Sequence, residues 1–426
     1  MNIATYPKYD SYKGDIAPWL GDVPTDWPFE KAKWFLSHRK QLNIEGRIDN
    51  VLSLTLRGVV NNDPNNPEGL VPKDYRTYQI FEADDLVFKL IDLENIRTSR
   101  VGLVHEQGIM SSAYIRIVPS CEWNARFLHY YYFHLYEAEV FNKIGSGVRS
   151  TLGQSDLLEL PIPVIARDTQ DKIVRLLDEK CAKIDEAVRI KEAQIKLLAE
   201  RRQILIQEAV TRGLKPAAPM KDSGIDWIGQ IPAHWDVKRF KYLFEQSRLP
   251  VRPDDEVVTS FRDGQVTLRS NRRLDGYTEA IIEGGYQGIR VGQLVLNSMD
   301  AFEGAIGVSE SDGKCTPEYV ICDPVLDGLS QNYFAYLLRE MALARYIQVI
   351  CNAVRQRAVR IRFNNLAHRF MVVPPTEEQE QIVEFVERTK DRIGSAVSIK
   401  QDQITALKEY KTSLINAAVT GKIKVI

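Results

Sequence analysis

The chain is poor in the residues that staple a fold or hold a cofactor. Its 426 residues contain five cysteines (Cys121, Cys181, Cys315, Cys322, Cys351) with no C-x-x-C pair among them. That excludes a disulfide framework or zinc ribbon and points to a reducing compartment. Only six histidines occur. Two of them, His129 and His134, stand five apart in an aromatic stretch that fits packing better than metal binding. There is no Walker A loop, because the Gly-Lys pairs at Gly313 and Gly421 lack the upstream glycine, and no Gly-rich dinucleotide fingerprint follows a strand. The loop "NNDPNNP" (61–67) lacks the Pro-Pro-aromatic end of an amino-methyltransferase tetrapeptide. Asp254, Asp312 and Lys314 are spaced too far apart for a nuclease core, and "SDGK" reads as a turn. No apolar run reaches the roughly 18 residues needed to cross a membrane. The start "MNIATYPKYDSYKGDIAPWL" has no basic-then-apolar signal pattern. A cytoplasmic protein with no metal and no cofactor of its own is expected. The net charge of −1 gives no bias toward a polyanion.

What the chain does have is itself, twice. Displaced by 209 residues, positions 170–212 align with 379–421 without a gap, and seventeen of the 43 match. Among the matches are Gln170/Gln379, Ile184/Ile393 and Lys191/Lys400, ending in "LIQEAVTRGL" and "LINAAVTGKI". Displaced by 208, "APWLGDVPTDW" (17–27) faces "IDWIGQIPAHW" (225–235), pairing Trp19/Trp227, Gly21/Gly229, Pro24/Pro232 and Trp27/Trp235. Between these ends only anchors survive. "DDLVFKLID" (84–92) faces "GQLVLNSMD" (292–300), and Tyr114 faces Tyr319. A tandem duplication with divergent middles accounts for all of this.

The tails carry apolar residues at a spacing of three and four. In the first these are Ile173, Leu177, Ile184, Val188, Ile195, Leu198 and Leu205; in the second, Ile382, Val386, Ile393, Val397, Ile404, Leu407 and Leu414. The spacing predicts two long helices that pair along a heptad seam. Each would be a rod about 63 Å long at 1.5 Å per residue. Thr376 and Gln379 have the form of a capping box, Asp168 or Thr169 can cap the first helix, and Gly213 and Gly421 stand where the helices should stop. The middles alternate short apolar runs with Gly-, Asn- and Pro-rich breaks. Late in each comes a helix, at 125–141 and 331–347, so both are mixed α/β (α+β). The expected organisation is a first domain at 1–165, a spacer helix at 166–214 and a linker at 215–224. A second domain at 225–374 and a second spacer helix at 375–426 follow.

Charge is distributed unevenly. From Met341 to Thr376 there is no acid, while "NAVRQRAVRIRFNN" supplies Arg355, Arg357, Arg360 and Arg362 among Asn and Gln. The corresponding place in the first half, "KIGSGVRSTLGQS", carries Lys143 and Arg149. The stretch "FRDGQVTLRSNRR" carries Arg262, Arg269, Arg272 and Arg273, and Asn297 lies in the aligned "GQLVLNSMD". Such side chains hold phosphates and read base edges. Acid-free stretches at matching places of a duplication favour nucleic acid over a merely solvated face. Two other readings remain beside this one: a solitary enzyme acting on nucleic acid, and a coiled-coil scaffold that binds proteins only.

Taken together, "IPAHWDVKRFKYLF" with its partner "VPTDWPFEKAKWFL", "GSGVRS…LLELPIPV", "VVPPTEEQEQIVEFVE" and the two helix ends resemble the specificity subunit of a Type I DNA restriction–modification system. The resemblance covers essentially the whole chain. One departure is "LPIPVIARDTQDKIV", which stands where the second half has the more usual "PPTEEQEQIV". The resemblance implies a non-catalytic reader of double-stranded DNA. Each middle would be a target recognition domain for one half of an asymmetric bipartite site. The helices would pair as an antiparallel coiled coil with pseudo-twofold symmetry, setting the spacer between half-sites. Two modification subunits would use S-adenosylmethionine to methylate adenine at N6, and restriction subunits would use ATP and Mg.

Overall fold

The computed structural model describes residues 5–14, 16–56, 58–63, 72, 74–90, 93, 100–144, 152–272, 285–351 and 360–426. The chain divides into two units, residues 1–192 with 401–426 and residues 193–400. Each half of the sequence supplies four of the described helices. The first half gives α1 (Ala125–Glu137), α2 (Val140–Ile144), α3 (Gln154–Glu159) and α4 (Arg167–Arg212). The second gives α5 (Gln331–Leu343), α6 (Tyr346–Ile350), α7 (Phe363–Ala367) and α8 (Thr376–Val419). Both units are therefore mixed α/β, with the two long helices expected from the tails.

The strands repeat in the same way. In the first unit a four-stranded antiparallel sheet runs Leu36–His38, Ile115–Pro119, Leu86–Phe88, Val101–Leu103. In the second the order is Phe244–Gln246, Tyr319–Pro324, Leu294–Asn297, Ile306–Val308. The anchor runs "LVF" and "LVL" are the inner strands, and their lack of alternation has a simple cause. Leu86 and Phe88 pack into the core with α1, whereas Val87 packs on the other face against Leu52, Leu54 and Val59 of the hairpin Leu52–Asn61. Leu294 and Leu296 face α5, and Val295 faces Val258 and Val266 of the hairpin Val258–Leu268. A strand covered on both faces must be apolar throughout. Gln79, buried, and Gln287, half-buried, tie the same turn in each unit. Their Nε2 groups donate to Ser111 O and Tyr114 O (3.2 and 2.5 Å) and to Thr316 O and Tyr319 O (3.1 and 2.8 Å).

Each helical pair after the sheet is built alike. Asn124 caps α1 by accepting from the Arg126 and Phe127 N–H groups, and Ser330 caps α5 by accepting from Tyr333 N–H. Glu139 and Arg345, at φ 56° and 59°, make the corner into α2 and α6. Tyr130 on α1 donates to Asp178 of α4 at 2.7 Å, and Tyr336 on α5 donates to Glu387 of α8. These acids are 209 residues apart, the displacement that aligns the tails.

Within the first unit, the start of α4 lies beside the end of α8. Lys411 Nζ meets Asp185 at 2.7 Å and Lys191 Nζ donates to Gln403 at 2.7 Å, so the two run antiparallel. Within the second, Ile206 and Val210 of α4 share a core with Ile382 and Val386 of α8. Of the seam positions, Ile173, Leu177, Ile184, Val188, Ile382, Val386, Ile393 and Leu414 are buried. Ile195, Leu198, Leu205, Val397, Ile404 and Leu407 are half-buried. Most of the fully buried positions belong to the cores that the domains build around the helix ends; the half-buried ones belong to neither core. Toward its end α4 buries Ile206, Ala209 and Val210, a face wider than a heptad seam.

The helix starts differ from expectation. α4 begins at Arg167, so Asp168 and Thr169 lie inside its first turn, and α8 begins at Thr376, whose neighbour Gln379 does not close a capping box. The paired glutamines turn inward instead. Gln170 Oε1 accepts from Asn124 N–H and its Nε2 donates to Ile165 O, at 2.8 and 2.9 Å. Gln379 does the same with Ser330 N–H and Pro374 O, both at 2.9 Å. A buried glutamine that satisfies two orphan backbone groups bolts each long helix to its domain. The expected linker also holds structure, since Met220–Asp222 pairs with Gln230–Pro232 as Tyr12–Lys13 pairs with Val23–Pro24. Gly213 and Gly421 end the long helices at φ 74° and 73°, under Trp235 and Trp27 respectively. Among the described residues no helix is long and apolar enough to cross a membrane.

Candidate nucleic-acid interface

The hairpin Val258–Leu268 and the 3-10 turn after it (Arg269–Asn271) carry three of the candidate arginines. Gly264 makes the tight end of the hairpin at φ 94°. From there Arg262 reaches Asp300 at 3.0 Å and also pairs with Glu303, across the 3-10 turn Ala301–Glu303. Arg272 lies over the Phe261 ring at 4.3 Å and pairs with Asp263 at 2.8 Å. Arg269 Nε donates to Thr259 Oγ1 at 3.2 Å. Arg360, from the acid-free stretch, stands 3.5 Å from Glu318. Arg362 is exposed just before α7, and Lys143 is exposed on α2 with Nζ near Ala138 O at 3.4 Å. Arg149, Arg273, Arg355 and Arg357 lie outside the described residues.

Asn297 is placed otherwise. It is 7% exposed, its Oδ1 accepts from Met299 N–H and its Nδ2 donates to Asp300 at 3.3 Å. One bond at each end of the amide holds it to the turn, and its burial turns it away from the surface that carries the arginines. The structure thus gathers Arg262, Arg269 and Arg272 on one hairpin and leaves Asn297 beneath it.

The acids opposite these arginines were not legible in the sequence. Asp300, Glu303 and Glu318 are remote in sequence from Arg262 and Arg360, so these carboxylates reach their arginines only on folding. These pairs are solvent-exposed, with the Arg262 side chain 63% open, and exposed pairs of this kind contribute about 0–1 kcal/mol each. A phosphate can therefore replace the carboxylate at small cost while the guanidinium stays oriented. Other pairs are structural. Arg116–Asp85 (2.6 Å) and Arg290–Asp255 (3.1 Å) are nearly closed to water. Burial pushes the Asp85 carboxyl up, against the pull of its hydrogen bond from Glu82 N–H and of Arg116.

Asp312 pairs with Arg252 at 3.1 Å, and Lys314 lies over the Tyr286 ring at 5.6 Å. No group of three His, Cys, Asp or Glu among the described residues could hold a metal ion. His134 is buried in α1, where burial first and then Lys422 lower it to about 4.

Sequence comparison finds no matching family model and no matching curated protein. Comparison of structures does. The chain is similar to one from a study of assembly and conformational transition of the type I R-M system, at 14% identity and a TM-score of 0.66. That match covers 93% of this chain and 98% of that one. It is also similar to the HsdS subunit of Thermoanaerobacter tengcongensis, at 16% identity and a TM-score of 0.52, over 94% and 98% of the two chains. The fold is thus one found in solved chains of Type I restriction–modification systems, an HsdS subunit among them, over more than nine-tenths of this chain.

Proposed function

We propose that the chain is the DNA-reading specificity subunit of a Type I restriction–modification complex. The observation that carries the proposal is a duplicated frame with unlike surfaces, in a fold shared over more than nine-tenths of this chain with solved chains of such complexes. At the same place in each unit stands the same hairpin. One presents "LSLTLRGVVN" (52–61) and the other "VTSFRDGQVTL" (258–268). Two readers with one scaffold and different side chains suit a site whose halves differ in sequence. Arg262, Arg269, Arg272 and Arg360 contact the duplex, with Arg273, Arg355, Arg357 and Arg362 beside them in sequence. Lys143 and Arg149 serve the first half. The long helices hold the two readers a set number of base pairs apart and dock two modification subunits, to which restriction subunits add.

In this reading the chain does no chemistry. S-adenosylmethionine belongs to the modification subunits, ATP and Mg to the restriction subunits, and the whole works in the cytoplasm. Reconstitution tests it. The purified chain with S-adenosylmethionine and DNA should neither methylate nor cleave, and adding the methyltransferase subunit should yield N6-methyladenine at defined sites. Methylation or cleavage by the chain alone would refute the proposal.

A further inference from the structure

Six tryptophans occur, and five have a place in the interior. Trp27, Trp123 and Trp235 are buried and Trp19 and Trp227 half-buried, but Trp34 is 68% exposed. It ends the 3-10 turn Ala32–Trp34, which is anchored by Ala32, buried and donating its N–H to Leu160 O at 2.9 Å. The other half makes the same turn as Phe240–Tyr242. Phe240 is buried and donates to Arg369 O at 2.9 Å, and Tyr242 is 57% exposed. In both turns the preceding lysine lies over the ring. Lys33 Nζ is 5.4 Å from the Trp34 centroid and Lys241 Nζ is 5.2 Å from that of Tyr242.

Folding does not require these rings. The turn is held by the residue two before each of them, and neither ring belongs to a core cluster. Yet an exposed aromatic with its lysine stands at the same place in both halves of a chain whose middles have diverged. Ile190 and Ile399 are a second such pair. They are identical at the 209-residue displacement and 44% and 55% exposed. Large apolar side chains left open at matched positions mark a contact made twice, and Trp and Tyr are the side chains that anchor protein interfaces.

DNA is the weaker candidate for the occupant. Base reading calls for different residues in the two halves, and a phosphate has no use for a ring. In the first half Lys33 and Lys31 lie on the two oxygens of Glu159 at 2.6 and 2.7 Å, an exposed cluster whose charges an incoming carboxylate can share. We infer that Trp34 with Lys33, and Tyr242 with Lys241, are equivalent docking points for two copies of one protein subunit. Each copy takes the ring into an apolar pocket with a carboxylate at its rim for the lysine. The inference rests on the proposed function, in which two modification subunits join one chain, and it says where they hold.

The test is native mass spectrometry of the full-length chain mixed with the purified adenine-methyltransferase subunit of its own locus. DNA affinity of the chain alone is followed in parallel by fluorescence anisotropy. The unaltered chain should bind two copies. Trp34→Asp and Tyr242→Asp should each weaken one copy about tenfold or more, and the double variant should weaken both. Trp34→Tyr should keep both copies, and DNA affinity and the thermal midpoint should not move in any variant. Two copies held with unchanged affinity by both Asp variants would overturn the inference while leaving the proposed function standing. Loss of DNA affinity with the copy number intact would overturn it too, because the patch would then be a nucleic-acid contact. An unaltered chain that takes up no methyltransferase would sink the partner reading itself.

Discussion

Glu340 on α5 shows how the duplication diverges at single residues. Its counterpart on α1 is His134, and both side chains are buried. Burial raises the Glu340 carboxyl to about 7, against the opposing pull of its hydrogen bonds from Gln203 Nε2 (2.8 and 2.7 Å) and of Arg339. The folded value exceeds the ordinary one of 4.5. The contribution to stability is therefore fully present below about pH 4.5 and is lost as pH rises to about 7. Glu340→Gln, which keeps an acceptor for Gln203 and cannot ionise, should stabilise the protein by about 1–3 kcal/mol at pH 8 and hardly at all at pH 4.5. Urea unfolding at the two pH values reads this. An equal effect at both would mean that the carboxyl is not raised. None of this was legible in the sequence, where Glu340 is one acid in "LLREMA" and Gln203 lies 137 residues away.

At the scale of elements, the paired helices and their glycine stops were legible because periodicity and repetition both report on them. The starts were not. A glutamine three residues after a threonine has the form of a capping box, but Gln379 is drawn to Ser330 N–H and Pro374 O. A buried backbone donor and acceptor outweigh a cap that water could replace. Gly421 offers the measurement at this scale. It is left-handed at φ 73°, and a Cβ there would come within 2.5 Å of Pro24. Gly421→Ala should cost roughly 1–3 kcal/mol from the backbone conformation alone, seen as a lower thermal midpoint. A midpoint unchanged from the native chain would show that Trp27 and Pro24 do not clamp this helix end.

At the scale of the whole molecule, the tandem α/β units with their two long helices were legible in the sequence because a duplication repeats its own elements. The recognition surface was written only in part. Basic stretches reveal where cations lie along the chain, but not that Asp300, Glu303 and Glu318 fold onto Arg262 and Arg360, nor that Asn297 is held to its own turn. These are long-range contacts, and periodicity carries no trace of them. The central claim is that two unlike readers on one frame choose one two-part DNA site. Its most direct test is single-molecule methylome sequencing of cells carrying the complete system, with and without this chain. The account predicts N6-methyladenine in one asymmetric, two-part motif with an unread spacer of fixed length, all of it lost when the chain is removed. Methylation that persists without the chain, or a contiguous motif with no spacer, would contradict it.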